Sequence, residues 1–375
     1  MRPALFLILL LASAAASSAE PTFTIYGFLS ARGEVVRSQP SWLQQGFGRL
    51  DEGADAANRT STPHSEALQL GIDVQPARPL NFHLHLIARD ETTRHSGSSA
   101  GLVEAYGDLR PLDDGINRVR LRAGMFFLPT SRENVGELWS SPYTLTLSTL
   151  NSWVAQELRP IGGEVEYRRE TAERGSLAVA ASLFGGNDSS GTALAWRGWA
   201  MSSRLSTLGE VLPLPRLFSL RNSTLFGMQR SDGTRAFGHD RDGRVGWTGR
   251  ARWEVPGNGT LQIAAVDNRG DRALHHGEYS WRTRFWLLSA DLHPTEHTTL
   301  AAEFLSGKTG MGFPPGANVR MQFRTGYALV SQQFGRNRIS LRLERFKSVD
   351  RDHSAAESND DSGHAVTLAW FYDAT

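Results

Sequence analysis

Apolar and polar residues alternate one by one along most of the chain after Phe23. The clearest run is Arg118-Val-Arg-Leu-Arg122, which puts three arginines on one face of an extended segment and Val119 and Leu121 on the other. A period of two is the pattern of a β-strand with one apolar and one polar face, and helical periodicity is largely absent. The longest later apolar stretch, Leu177 to Phe184, is far shorter than the roughly 20 residues of a membrane-spanning helix. The pattern therefore predicts an all-β chain.

Fourteen segments of this kind follow one another. We predict strands over residues 22–37, 65–76, 80–93, 101–110, 118–128, 162–170, 176–186, 243–255, 260–271, 277–291, 297–308, 318–334, 337–349 and 363–374. Most connections alternate between short turns, such as Pro256-Gly-Asn-Gly259, and longer ones, such as 38–64 and 187–242. Short turns at one end and longer loops at the other are typical of outer-membrane barrels, and an even strand number returns both termini to one side.

These features predict a transmembrane antiparallel β-barrel of about 14 strands, with short periplasmic turns and long extracellular loops, formed by residues 20–375 as a single barrel. Sixteen strands is the alternative, because Thr192–Met201 and Leu217–Met228 could form another pair. We favour a loop there because Leu212-Pro-Leu-Pro215 interrupts the region, and proline rarely lies inside a sheet. A soluble periplasmic β-sandwich is less favoured, because fourteen strands with broad apolar faces and arginine-rich faces are hard to close into sandwiches.

Two long connections, 129–161 and 187–242, contain too many apolar residues to extend freely into water. The first includes Trp139, Tyr143 and Trp153. Structureless loops of this length are uncommon in compact domains, and the lumen of a barrel offers them a place to pack. We therefore expect both connections to fold into or over the lumen.

The first 19 residues have the pattern of a secretory signal peptide. Arg2 precedes a short apolar run from Ala4 to Ala12, and Ser17-Ser18-Ala19 forms a cleavage site before Glu20. The run is too short to span a bilayer, so we predict removal of residues 1–19 and export of the remainder.

Charge and composition narrow the functional classes. The 40 basic and 39 acidic residues nearly cancel, which argues against a general nucleic-acid binder. The absence of cysteine excludes disulfides, cysteine-based zinc sites and thiol nucleophiles. Lys308 and Lys347 are the only lysines, so almost every basic side chain is a guanidinium group.

The polar faces of the strands supply the residues expected to line a water-filled interior. By phase, the predicted pore lining is basic at Arg89, Arg118, Arg120, Arg122, Arg250, Arg252, Arg282, Arg284, Arg320, Arg324, Arg338 and Arg342, and acidic at Glu104, Asp108, Glu164, Glu166, Glu254, Glu303 and Glu344. This basic excess favours anions or small acidic solutes, because charge in a narrow pore sets selectivity. The alternative is that Arg and Glu pair across strands and rigidify the wall.

Other candidate chemistry is weaker. His83 and His85 share one strand face but have no evident third metal ligand, and Asp240-Arg-Asp-Gly243 resembles only a fragment of a calcium loop. No nucleophile elbow or catalytic triad is recognisable. We predict no catalytic residues, no metal and no cofactor.

The signal peptide, the opening strand Phe23-Thr-Ile-Tyr-Gly-Phe28 and the stretch Val119–Pro129 (VRLRAGMFFLP) resemble proteobacterial outer-membrane porins, of which the nearest type is the phosphate-selective porin-like group. Ser141-Pro-Tyr to Asn151-Ser-Trp and Val266-Asp-Asn-Arg-Gly270 fit the same resemblance. Phosphate-selective porins bind anions through lysine-rich clusters that have no counterpart here. Such porins usually end on an aromatic residue, whereas here Trp370-Phe-Tyr372 lies three residues from the end.

Two functions follow as hypotheses. The first is a passive diffusion channel of the bacterial outer membrane for small hydrophilic solutes, with a mild anion preference. The second is a plugged barrel acting as a receptor, adhesin or outer-membrane enzyme. The predicted partners are outer-membrane lipid and lipopolysaccharide, small anionic or polar solutes and, as one assembly to test, a homotrimer; no nucleic acid is expected.

Overall fold

The computed structural model describes residues 21–54, 59–90, 99–171, 174–221, 224–227, 233–354 and 357–374. The predicted signal peptide lies outside the described residues. Parts of the connections after β1, β3, β6, β7 and β13, as labelled below, also lie outside them.

Fourteen strands form one antiparallel sheet, and each strand pairs with the next in chain order. They are β1 (Thr22–Gly33), β2 (His64–Ala77), β3 (Leu80–Arg89), β4 (Ala100–Asp113), β5 (Asn117–Met125), β6 (Ile161–Thr171), β7 (Gly175–Gly185), β8 (Gly246–Val255), β9 (Gly259–Asp267), β10 (Arg284–Thr295), β11 (Thr298–Gly312), β12 (Asn318–Phe334), β13 (Asn337–Asp350) and β14 (Asp361–Tyr372).

The sheet confirms the all-β prediction and its count of fourteen strands. The largest shift is in the tenth strand, predicted over 277–291 and observed as Arg284–Thr295. The sixteen-strand alternative is wrong, because Thr192–Arg197 forms a helix and residues 218–220 form a single 3₁₀ turn. The region 212–215 contains two prolines, and only a three-residue ladder forms there.

Short elements occupy the connections in the part of the chain that the structure describes. The α-helices there are α1 (Thr149–Glu157) and α2 (Thr192–Arg197). The 3₁₀ turns are Trp42–Gln44, Glu137–Trp139 and Phe218–Leu220. Three small ladders pair Val36–Ser38 with Arg59–Ser61, Val211–Pro213 with Gly233–Arg235, and Leu274–His275 with Glu278–Tyr279.

The sheet curves around residues 126–160, which we call the first inner segment. A flat sheet of fourteen strands would be about 60 Å wide, because neighbouring strands lie about 4.8 Å apart. This one segment nevertheless contacts β4, β8 and β13, through Phe127 N to Glu104 (2.8 Å), Arg250 to Pro129 O (3.0 Å) and Arg342 to Glu133 (2.6 Å). The connection between β1 and β2 also reaches the last strand, where Arg49 pairs with Asp361 on β14 at 2.5 Å.

This curvature gives the sheet an enclosed face, directed at the first inner segment, and an outer face. The outer face carries exposed apolar side chains; Leu183, for example, is 64% exposed and Ile263 is 52% exposed. The main apolar core lies inside the curve instead, where Trp153, Trp199 and Trp281 are buried. Residues 186–245, the second inner segment, contribute Trp196 and Trp199 to this core.

Candidate functional site

A ladder of charged side chains crosses the enclosed face from β4 to β8. On β5, Arg122 donates to Asp108 on β4 (3.0 Å), and Arg120 donates to Glu164 on β6 (3.2 Å). Antiparallel register makes this arrangement local, because Arg122 is the direct cross-strand partner of both Asp108 and Glu164. Strict alternation in Arg118–Arg122 therefore places the arginines on one face beside carboxylates of both neighbouring strands.

The ladder continues across β7 because the side chains of β7 that lie next to it on the enclosed face are small. Beside the ladder the enclosed side chains of β7 are Ser176, Ala178, Ala180 and Ser182, and the larger Phe184 follows only at the end of the strand. Above them, Arg250 on β8 reaches Glu166 on β6 at 2.5 Å, and Arg252 lies 3.7 Å from the same carboxylate. Four guanidinium groups therefore share three carboxylates, Asp108, Glu164 and Glu166, so this part of the wall is both crosslinked and slightly basic.

The first inner segment is held against the opposite part of the sheet by carboxylates of β10 and β11. Arg132 donates to Asp291 on β10 (3.0 Å), and the Ser131 hydroxyl donates to Glu303 on β11 (2.9 Å). The Arg132 N–H also donates to Glu303. Glu303 is 3% exposed, so its hydrogen bonds come from the segment and not from bulk water.

Arg342 on β13 anchors the same segment. Its guanidinium group donates to Glu133 (2.6 Å), to the Thr146 carbonyl (2.8 Å) and to the Leu147 carbonyl (2.9 Å), and it also bonds Glu344 (3.2 Å). Arg342 is 1% exposed. A buried guanidinium with every nitrogen engaged fixes the course of the chain before α1, because each lost bond would leave a buried donor or acceptor unpaired.

Two carboxylates stabilise the start of α1. Ser148 is the N-cap, and its hydroxyl accepts from Asn151 N (3.2 Å). Glu344 accepts from Thr149 N (2.6 Å), and Glu133 accepts from Ser148 N (3.0 Å). Carboxylates at a helix N-terminus accept free N–H groups and oppose the helix dipole, which explains why so short a helix is stable here.

The body of α1 is buried on every side. Trp153 contacts Phe285 on β10 and Phe323 on β12, with ring centroids 5.3 Å and 5.1 Å apart, and Trp199 of the second inner segment at 6.4 Å. All nine residues of α1 are buried. The two inner segments therefore pack together as an apolar core within the curve of the sheet.

Glu157 joins α1 to α2. Its carboxylate accepts from Gly191 N (3.1 Å), Ala193 N (3.0 Å) and Leu194 N (3.0 Å), and from the Trp153 indole (2.9 Å). Burial raises the pKa of Glu157, although these donors and Arg197 act in the opposite direction. Arg159 beside it has no exposed surface and lies 3.6 Å from the Phe127 ring centroid, and burial lowers its pKa to about 9.

Most predicted pore-lining residues lie on the enclosed face. These are Arg89, Arg118, Arg120, Arg122, Arg250, Arg252, Arg338, Arg342, Glu104, Asp108, Glu164, Glu166, Glu254, Glu303 and Glu344. They do not form one group: Arg118 lies at the short-turn end with Asp113 (3.0 Å), Arg89 donates to Leu205 O (3.0 Å), and Arg338 donates to Ser331 (3.0 Å).

The prediction that the side chain faces the interior was wrong for four arginines. Arg284, Arg320 and Arg324 lie exposed on the outer face, and Arg282 precedes β10, where it pairs with Asp267 (2.9 Å). The reason is that the alternating apolar residues of these strand ends, including Phe285 and Phe323, turn inward to cover Trp153. The basic residues between them therefore face outward.

Sequence reasoning missed Arg132, Glu133, Asp291, Glu157 and Arg159. Four of them lie outside the strands, where no period assigns a direction to a side chain. Asp291 lies on β10 and has the same phase as Phe285, so a correct choice of the inward face would have found it.

The weaker metal candidates also have definite positions. His83 bonds Asp73 (2.8 Å) and His85 bonds Gln69 (2.9 Å), so both rings take part in contacts between strands. The carboxylates of Asp188, Asp240 and Asp242 lie within 4.8 Å of one another. Burial and the two neighbouring carboxylates raise the pKa of Asp188 to about 6, although the Arg241 N–H opposes this shift.

Within the described residues, no helix combines the length and the apolar character needed to cross a membrane. No family model and no curated protein matches the chain. Among solved structures, the chain is similar to the outer membrane channel DcaP of Acinetobacter baumannii (9% identity, 95% of this chain and 98% of that chain, TM-score 0.41). It is also similar to an anion-selective porin from Comamonas acidovorans (11%, 94% and 99%, TM-score 0.43) and to Pseudomonas putida OprB (11%, 97% and 95%, TM-score 0.41). At these identities and TM-scores the likenesses assign no family.

Proposed function

We propose that the chain is a bacterial outer-membrane β-barrel that acts as a narrow diffusion channel for small hydrophilic solutes. The observation that carries this proposal is the inverted distribution of polarity in the fourteen-stranded sheet. Apolar side chains lie exposed on the outer face, and the ladder from Asp108 to Arg252 lies on the enclosed face. Lipid favours the first arrangement, and a water-filled interior favours the second.

The outer face carries exposed aromatic side chains toward both ends of one strand. On β8, Trp247 and Trp253 are both exposed and are six residues apart, which is about 20 Å along the strand and, at the usual tilt, about 15 Å across the bilayer. Aromatic residues at both limits of an apolar band are typical of barrels in a bilayer. Residues 1–19 would direct the chain to export as a signal peptide, and the short turns would face the periplasm.

The two inner segments would narrow the passage, and the charged ladder would line it. Moving the four misassigned arginines outward leaves eight predicted basic residues against seven acidic ones on the enclosed face. This near balance supports only a weak anion preference, whose remaining basis is the excess of arginine in the ladder. Because every ladder arginine is within 4 Å of a carboxylate, wall crosslinking accounts for much of the charge.

A plugged barrel is the second candidate, and the complete burial of α1 favours it. An apolar core of tryptophan and phenylalanine inside the curve excludes water from that region. In this case the barrel would act as a receptor or adhesin, with the inner segments as a resident plug. We propose no catalytic role.

Conductance in a planar lipid bilayer tests the channel directly. Folded protein, identified by heat-modifiable gel mobility, should add stepwise conductance, and the same preparation after heating should add none. Folded protein that inserts without conducting would overturn the channel. Deleting residues 190–240 separates the candidates. A plugged barrel does not conduct before the deletion and would begin to conduct after it. A channel would conduct before and after the deletion, with a larger unit conductance in the deletion variant.

A further inference from the structure

Five neighbouring basic side chains lie exposed on the outer face near the longer-loop end of β10 to β13, and Arg320 lies beyond them, closer to the loop. The five are Arg284, Lys308, Arg324, Arg345 and Lys347, which we call the outer basic patch. The patch contains both lysines of the chain. No carboxylate lies within 4.0 Å of any of the five among the residues that the structure describes, in contrast to the ladder inside.

The register places like charges directly opposite each other. Arg284 is the cross-strand partner of Lys308, and Arg324 is the cross-strand partner of Lys347. Direct cross-strand pairs lie about 5 Å apart, and like charges at that distance destabilise a sheet. Two such pairs lie side by side on the outer face, whereas the ladder arginines inside are matched with carboxylates, so an external anion placed between the pairs would relieve their repulsion.

An apolar furrow runs down the outer face from the patch. It consists of two adjoining grooves of about 690 and 380 Å³ that share Ala290, Ala302, Ala328 and Leu343. The register explains the furrow, because Ala290, Ala302 and Ala328 are successive cross-strand partners and none fills the surface between its larger neighbours. Arg324 and Lys347 line the upper groove, so patch and furrow are continuous.

The length of the furrow matches one leaflet. Arg324 and Val330 are six residues apart on β12, which is about 20 Å along the strand, and Val330 lines the lower groove. At the usual strand tilt of about 40° this rises about 15 Å, which is half of the roughly 30 Å hydrocarbon core. A groove with cations at the leaflet surface and apolar walls to the bilayer centre has the polarity of an anionic lipid.

We propose that the outer basic patch and furrow bind one molecule of lipopolysaccharide, the phosphate-bearing glycolipid of the outer leaflet, with its phosphates on the patch and an acyl chain in the furrow. The patch extends over four strands, or about 14 Å, which suits a head group with more than one phosphate. A phospholipid with a single phosphate would engage one of the two cationic pairs. Arginine and lysine both bind phosphate strongly, arginine through two parallel hydrogen bonds. This inference rests on the proposed outer-membrane location.

The test measures lipid retained by detergent-folded protein, using native mass spectrometry. The probes are lipopolysaccharide, the same lipid after chemical removal of its phosphates, phosphatidylglycerol and inorganic phosphate. The variant replaces Arg284, Lys308, Arg324 and Lys347 with Gln, and the matched control replaces Arg169 and Arg336, which are exposed at the short-turn end, with Gln. A basic residue near an anionic surface contributes about fivefold to binding, so the variant should retain at least tenfold less lipopolysaccharide.

The wild type and the control should retain lipopolysaccharide equally and bind the dephosphorylated lipid poorly. A second variant, Ala302→Phe with Ala328→Phe, fills the furrow without changing charge and should also lower retention, so the result does not depend on folding of the glutamine variant. Equal retention by all variants would overturn the proposal, as would equal binding of phosphatidylglycerol. A change in oligomeric mass with unchanged lipid retention would overturn it too, by assigning the patch to an interface between copies.

Conductance measured on the same preparations distinguishes failure of this inference from failure of the proposed function. Folded wild-type protein that retains lipopolysaccharide but does not conduct would refute the channel and leave the lipid site standing. Protein that conducts but retains no lipopolysaccharide would refute the lipid site alone.

Discussion

Arg342 on β13 and Glu133 in the first inner segment are 209 residues apart in sequence, and their side chains bond at 2.6 Å in the buried interior. The same guanidinium group also bonds Glu344, so one positive charge is shared between two buried carboxylates. This contact ties the first inner segment to the far side of the sheet.

Replacing Arg342 with Ala should strongly destabilise the protein. Glu133 and Glu344 would remain buried without their shared cation, and removing one partner of a buried pair typically costs about 3–5 kcal/mol. Thermal unfolding followed by heat-modifiable mobility should show a lower midpoint, and single-channel records should become noisier. The double variant Arg342→Met with Glu133→Gln should recover part of the loss, and an unchanged midpoint in Arg342→Ala would contradict the assigned role.

Replacing Arg250 and Arg252 with Gln should shift the channel toward cations. The change leaves Glu164 and Glu166 in the ladder with fewer guanidinium partners, so the local field becomes more negative. The reversal potential in a tenfold salt gradient should move toward the cation limit of about 59 mV.

The matched control for this experiment is Arg324→Gln. The alternating pattern predicts Arg324 in the lumen, and the structure places it on the outer face. We therefore expect its reversal potential to equal that of the wild type. A shift as large as that of the Arg250 and Arg252 variant would contradict this position, because it would mean that Arg324 faces the interior, as the alternating pattern predicts.

The outward position of Arg324 also shows how far the sequence determines the fold. Alternation located all fourteen strands, because the side-chain period of two is a property of the strand itself. Alternation distinguishes two faces, but the surroundings decide which face is inward. At Arg320 and Arg324 the strand end is flanked by Trp153 and Trp199 inside, so Met321 and Phe323 turn inward and the arginines do not.

The inner segments were harder to predict for a different reason. A helix buried on every side, as α1 is, has no polar stripe and therefore no period that reveals it. Ser148 as N-cap was the one local signal for its start. The ion pairs of Glu133 and Arg132 join residues that are more than 150 apart in the chain, and no spacing rule predicts them.

Replacing Trp153 with Ala should open the interior. The indole contacts Phe285, Phe323 and Trp199, and removing a buried aromatic side chain typically costs about 3–5 kcal/mol. Unfolding should occur at a lower temperature, and unit conductance should rise as the core loosens. Trp286→Ala, at an exposed tryptophan of the outer face, is the control and should leave conductance unchanged; equal effects from both variants would argue against a core around Trp153.

Asp188 should make stability depend on pH between about 4 and 6. Its pKa is raised to about 6 from 3.8, first by burial and then by Asp242 and Asp240. Because the folded state holds the proton more tightly than the unfolded state, the free energy of unfolding should fall as pH rises through this window, by at most about 1.4 kcal/mol per pH unit.

Comparing unfolding midpoints of the wild type and Asp188→Asn at several pH values isolates this contribution from that of other carboxyl groups. Between pH 4 and pH 6 the unfolding midpoint of the variant should fall less than that of the wild type. Above pH 7 the two midpoints should change with pH at the same slope. Parallel curves over the whole range would show that Asp188 does not titrate there.

The carboxylate of Glu157 has a consequence for how the interior can move. It ends α1 and accepts three N–H groups at the start of α2, so two stretches separated in sequence by the β6–β7 hairpin are joined at one point. Neither helix can swing aside without breaking these bonds or carrying the other with it. If the interior opens and closes, it does so as a single rigid gate with one hinge motion, and recordings should show two conductance levels with no intermediate level between them.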